Sequence, residues 1–367
     1  MKLNMICPAF FGSSGYANHS KGLCNALNKV AEVRLATQLP QGWETQTSDE
    51  ELKMIKKEDS NDRINVIIDL PFNWIQYAIK EINIGFLVFE GDKIPLSWLD
   101  YIIDKRINMV FVPSLHVLQA IKNTGLSERY WDKVKIVPHG FDPKIFYPEK
   151  KKEEIFTFLI NKGFRNHLDR GGMQHGLRAF IQEFKKGEAR LVLKLNPAYA
   201  LPPDLLVAYI NQICQEEKKM ANDIGQIIFN YDFMNQEGLR NLYGESDVLL
   251  SPSEAEAFSL PCIESMACGK PVITTNFGGQ TDFVNESNGW LVSGDMHEVQ
   301  HELLYEGISW KRPHISELRK SMRESLSNRE LYATKAENAL KDAQRFKWEE
   351  SANKAVNHLR EAVTDIP

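Results

Sequence analysis

Short apolar runs alternate along most of the chain with longer stretches whose apolar residues recur at helical spacing. Strands that cross over through helices into parallel sheets produce this pattern, so the expected class is α/β. Five runs read as strands of a first sheet: Lys2 to Cys7, Ile64 to Leu70, Ile84 to Glu90, Met109 to Ser114 and Val134 to Gly140. A second series comprises Ile155 to Ile160, Arg190 to Leu195, Gln226 to Asn230, Asp247 to Ser253 and Pro271 to Thr275. Leu177, Phe180, Ile181 and Phe184 recur at helical spacing and predict one buried face. Open sheets bind ligands at the carboxyl ends of their strands, which singles out Gly12 to Gly15, Glu90, Ser114 and His139.

Phe146 to Glu154 combines Pro148 with a run of charges and reads as a linker. A chain of 367 residues fits two domains. The expected division is 1–148 and 151–343, with two similar sheets implying a cleft. Composition adds little: 43% hydrophobic and 25% charged residues, with no low-complexity run, suit a globular chain. The net charge of -5 argues against bulk nucleic-acid binding, which needs a basic excess. The five cysteines form no CxxC pair and no zinc spacing, so they read as reduced core thiols. No signal peptide or membrane span is visible, which predicts a cytoplasmic protein and leaves peripheral attachment to a membrane face open.

The candidate chemistry concentrates in EAEAFSLPCIE, Glu254 to Glu264. The strand before it is buried, so this segment forms a loop over the sheet, and Pro261 suits the first turn of the following helix. That start puts Glu264 in the first turn and leaves the N–H groups of Phe258, Ser259 and Leu260 without helical partners. Such a loop binds anions and hydroxyl-rich groups, and ionised Glu256 and Glu264 each accept from vicinal hydroxyls. The plainer alternative makes Glu264 a favourable helix-dipole charge and Glu256 a solvated loop residue.

The whole stretch from Leu242 to Val292 resembles the donor-binding core of retaining glycosyltransferases of family 4, which have the GT-B fold of two Rossmann-like domains. The resemblance extends in order through Val112 to Ser114, Val137 to Pro148, Arg170 to Phe180 and Arg345 to Ala352. It implies parallel sheets facing across a cleft, and a C-terminal helix, about 344–367, that returns to the first, acceptor-side domain. It also implies that Glu264 binds the ribose of a nucleotide sugar while Glu256 and the N–H groups of Phe258, Ser259 and Leu260 face the transferred sugar. Relatives stabilise the diphosphate without a metal, through an Arg and a Lys. Arg165 stands at the Arg position, but Gly171 occupies the Lys position, leaving Arg170 or Lys162 to substitute.

Gly12, Ser13, Ser14 and Gly15 follow the first strand, where relatives place a loop against the donor phosphates and the acceptor; a plain turn is the alternative. Glu90 stands where several relatives carry a His, and either holds the acceptor or sugar or caps its strand. Asn276, Gly278 and Gly279 read as turn formers, and His139 as a turn-shaping residue. The expected function is metal-independent, retaining transfer of a sugar from a UDP-, GDP- or ADP-linked donor to a glycan, lipid or protein acceptor, with no cofactor. The alternative is a non-catalytic GT-B partner or chaperone of an active glycosyltransferase.

Overall fold

The computed structural model describes every residue except Ser13, Glu44, His167, His301, Glu302 and 365–367. Two compact units are present. One comprises Met1–Asp142, Val299–Ile308 and the chain from Arg345 onward; the other comprises Pro143–Glu298 and Ser309–Gln344. Phe146 to Glu154 packs on the second unit: Lys151 Nζ binds the Asp247 carboxylate and the Ile155 carbonyl, and the Phe146 ring meets Tyr243 edge-on.

The first unit contains β1 (Lys2–Ile6), β2 (Glu32–Leu35), β3 (Ile64–Ile68), β4 (Asn83–Phe86), β5 (Met109–Val112) and β6 (Val134–Ile136). They form one parallel sheet in the order β2-β1-β3-β4-β5-β6. Burial along β3, β4 and β5 is continuous, as in strands covered on both faces, and the buried Asn65 of β3 donates to Asn83 of β4 at 3.0 Å. Because β4 ends at Phe86, Glu90 lies in the following loop and not at the end of a strand reaching to it. The helix Trp348–Thr364 belongs to this unit and buries Trp348, Ala352, Ala355, Val356 and Leu359.

The second unit contains β7 (Thr157–Asn161), β8 (Arg190–Lys194), β9 (Gln226–Asn230), β10 (Val248–Ser251), β11 (Val272–Thr275) and β12 (Gly289–Val292). These too are parallel, in the order β12-β11-β10-β7-β8-β9. An antiparallel hairpin, β13 (Gly294–Glu298) and β14 (Ser309–Pro313), completes it. Leu177, Phe180, Ile181 and Phe184 enter one core with Phe158, Leu191, Leu193 and Leu250. The chain runs outward through β7, β8 and β9, then returns to lay β10 beside β7, so the sheet changes direction between β7 and β10. The crevice beyond the carboxyl ends of two such strands is where an open parallel sheet receives its ligand.

Candidate functional site

Two loops leave that crevice, one carrying Lys162 after β7 and the other running from Pro252 to Ser259 after β10. The second loop is pinned by backbone contacts. Gly172 has φ +70, and a Cβ there would come within 1.8 Å of the Pro252 carbonyl oxygen. From another side Gly279 donates its N–H to the Glu256 carbonyl at 2.8 Å, and its own Cβ would lie 2.0 Å from the Ala257 oxygen. Glycine is therefore required at both points by contact distance. Gly278, with φ +104, and Gly279 lie in a turn, and their close approach to residues 256–258 adds support of the carboxylate loop to that reading.

Ser259 ends the loop with φ +73, a left-handed conformation that a side chain makes costly. The helix Leu260–Ala267 starts immediately after it, with Pro261 in its first turn. Because the helix begins at Leu260, Glu264 is its fifth residue and lies in the second turn, correcting the first-turn placement. Pro261 carries no N–H and the Cys262 N–H donates to the Ser259 carbonyl at 3.2 Å, so of the donors expected at this helix start the Leu260 N–H is one that helix geometry leaves without an intrahelical acceptor. Phe258, Ser259 and Leu260 are all buried.

The two carboxylates have opposite surroundings. Glu256 accepts from Lys162 Nζ and from Ser253 Oγ at 3.0 Å. Burial by itself would raise its pKa, but the Lys162 and Arg170 charges outweigh that and hold Glu256 below the usual carboxylate range. Glu264 is buried, with no cation among the groups acting on it; Tyr243 donates its hydroxyl to Oε2 at 2.9 Å. Asn161, at the end of β7, donates to the same Tyr243 oxygen at 3.1 Å. Desolvation pushes Glu264 up to about 7, against the opposing hydrogen bond from Tyr243.

Arg170 and Lys162 thus act on Glu256, while the Arg165 side chain lies exposed over the Tyr199 ring, 4.8 Å from its centroid. A Cβ on Gly171 would stand 3.5 Å from Lys162 Cβ, so Lys162 projects from a point beside the one that a lysine at 171 would use. Glu90, Gly12, Ser14 and Gly15 belong to the first unit. There Glu90 accepts from Tyr305 at 3.1 Å, and Ser14 caps the helix Gly15–Leu27 by accepting from the Ala17 N–H at 3.3 Å. Ser13 lies outside the described residues. His139 is buried and stacked on His19, with ring centroids 4.0 Å apart.

Sequence reasoning missed Glu254. Its carboxylate is 5% exposed and meets His175 Nε2 at 2.6 Å on Oε1, His297 Nε2 on Oε2, and Arg312 Nε at 3.6 Å. Burial opposes ionisation, yet the two imidazoles hold its pKa below the ordinary value. These partners are 79 and 43 residues away along the chain, so no local spacing signals them.

Residues 211–342, which include Glu254, Glu256 and Glu264, match the family Glycosyl transferases group 1. A D-inositol 3-phosphate glycosyltransferase of Paenarthrobacter aurescens is 24% identical over 64% of this chain and 53% of its own length. An MMP alpha-(1->4)-mannosyltransferase of Mycolicibacterium hassiacum is 26% identical over 42% of this chain and 34% of its own. The chain therefore spans about half or less of these curated relatives. Among solved structures, Anabaena HepE in complex with UDP and glucose superposes with TM-score 0.69, at 16% identity, over 98% of this chain and 100% of its own. Sucrose-phosphate synthase from Thermosynechococcus elongatus gives TM-score 0.69 at 16% identity over 99% of each chain. No helix among the described residues is long and apolar enough to cross a membrane. The two parallel α/β units have the fold of the GT-B glycosyltransferases, and the region similar to the group 1 glycosyltransferases lies mostly in the second.

Proposed function

We propose that the chain transfers a sugar from a nucleoside-diphosphate sugar to an acceptor hydroxyl, retaining the anomeric configuration and using no metal. The observation that carries this reading is the difference between Glu256 and Glu264 within one loop and helix. Glu264, held by Tyr243, suits a pair of ribose hydroxyls, whose donation favours its ionised form. Glu256, kept ionised by Lys162 and Arg170, suits the hydroxyls of the transferred sugar. The leaving diphosphate gathers negative charge, which Lys162, Arg170 and the Leu260 N–H at the helix start are suited to stabilise. The ammonium of Lys162 has three donors, of which Glu256 takes one.

Retention follows the resemblance of the Leu242 to Val292 segment, with a donor phosphate oxygen assisting deprotonation of the acceptor. Gly12 to Gly15 and Glu90 are assigned to the acceptor and phosphate side on the same basis. The non-catalytic alternative rests on Gly171 and on Glu90 standing where relatives carry a His; Lys162, rooted beside Gly171, answers the first of these. A calorimetric screen against UDP, GDP, ADP and their sugar conjugates, with EDTA present, tests the reading. Binding with slow release of nucleotide supports transfer, whereas binding without turnover toward any acceptor favours the partner reading. Glu264→Ala is expected to weaken nucleotide binding by about 1.5 to 3 kcal/mol, and unchanged affinity would refute the ribose assignment.

A further inference from the structure

Glu254 lies two residues before Glu256 and is tied at four points. Its N–H donates to the Arg170 carbonyl at 2.7 Å, and its carbonyl accepts from the Lys311 N–H at 2.9 Å. Each carboxylate oxygen takes one imidazole, from His175 on the helix Met173–Glu183 and from His297 on β13. An ionised carboxylate can only accept, so both Nε2 atoms carry the hydrogen. Two separate segments thus converge on this residue of the β10 loop: the stretch from Arg170 to His175 and the β13–β14 hairpin. Lys311 also reaches the Asn276 carbonyl at 3.2 Å, joining the hairpin to the segment that leads to Gly279.

A buried carboxylate far from solvent is costly unless every oxygen is engaged, and a chain that needed only stability would be served as well by apolar packing. Here the engaged groups fix position, because each hydrogen bond has a direction. We propose that Glu254 is a positioning residue, held by His175 and His297, which sets the path of the loop presenting Glu256 and makes the β13–β14 hairpin part of the sugar-side machinery. This rests on the reading that Glu256 faces the transferred sugar.

The test uses the full chain with Glu254→Gln, His297→Leu and His297→Gln. Turnover of the donor found by the screen, affinity for the free nucleotide, and amide hydrogen exchange over residues 253–259 are measured for each. Glu254→Gln places an amide N–H against an imidazole N–H, and is expected to lower kcat about 100-fold, the effect of a misplacement on the order of 1 Å. Nucleotide affinity should hold, because Glu264 is bound by Tyr243 and not by this cluster. His297→Leu, on the half-exposed hairpin, should lose turnover and loop protection together, and His297→Gln, which keeps a donor at Nε2, should restore both.

Wild-type exchange of the loop in Glu254→Gln and His297→Leu overturns the proposal whatever the turnover, as does an equal fall in kcat and nucleotide affinity. Should Glu254→Gln fail to fold, the two His297 variants decide alone. If the wild-type chain neither binds nucleotide nor turns over any donor, the transfer reading fails, while exchange still reports whether Glu254 holds the loop.

Discussion

Glu256 and Glu264 are separated by one loop and the start of one helix, yet the protein treats them as opposite kinds of acid. The loop surrounds Glu256 with cations, so its charge is present before any ligand arrives. The helix buries Glu264 beside a tyrosine, so its carboxyl keeps its proton up to about 7, and hydroxyl donors brought to it would favour the ionised form. Sequence spacing presents the two as a pair; the difference comes from Lys162 and Arg170, which follow β7, and from Tyr243 on the helix Gln236–Gly244. The lesson is that a shared motif sets location while the second layer of residues sets chemistry.

That contrast can be broken from either side. The largest effect is expected at the loop: Glu256→Gln should reduce kcat about 1,000-fold, roughly 4 kcal/mol, while free-nucleotide affinity changes far less. Equal losses in steady-state turnover and in nucleotide titration would remove Glu256 from the sugar. Next comes the pH response of Glu264. The native carboxyl keeps its proton up to about 7, whereas an exposed one loses it near 4.5. Between these values the native state binds more protons than the unfolded chain, so stability falls as pH rises through this window, by about 3 kcal/mol for this one group.

Thermal unfolding across pH 4.5 to 7 checks that slope, and Glu264→Gln should flatten its share. Nucleotide binding has the opposite sign: hydroxyl donors favour the ionised form, so affinity rises toward pH 7 and binding releases a proton below it. The smallest effect is at the junction between the two regions. Ser259→Gly relieves a left-handed backbone and should stabilise the protein by roughly 0.5 to 1 kcal/mol, less the lost contact from Ser259 Oγ to Cys262 Sγ. A urea midpoint raised at constant slope would show it.

Strands buried at every position were legible because apolar runs dominate them; β3, β5, β10 and β11 fall inside the segments read from sequence, as do the less buried β8 and β9. Strands that escaped notice lack such runs. β2 is the edge strand EVRL, with charges alternating, β12 is the short GWLV, and the hairpin GDMHE with SWKRP is polar along most of both strands. Their existence depends on sheet neighbours that no local window contains. The site divides in the same way. Glu256 and Glu264 show themselves by fixed spacing along one segment, whereas Lys162, Tyr243 and the histidines on Glu254 are brought there by topology.

Gly172 and Gly279 face the carboxylate loop with bare backbone, and backbone atoms look alike whatever side chains the loop carries. Apart from Glu254, whose side chain is itself an anchor, the route of the loop is therefore held by contacts that do not depend on its composition. In a mutational library, positions 172, 254 and 279 should tolerate almost nothing, while the residues from Ala255 to Phe258 can be exchanged without redirecting the chain. A protein arranged in this way can change which sugar it prefers one side chain at a time, because the scaffold that aims those side chains does not have to be rebuilt at each step.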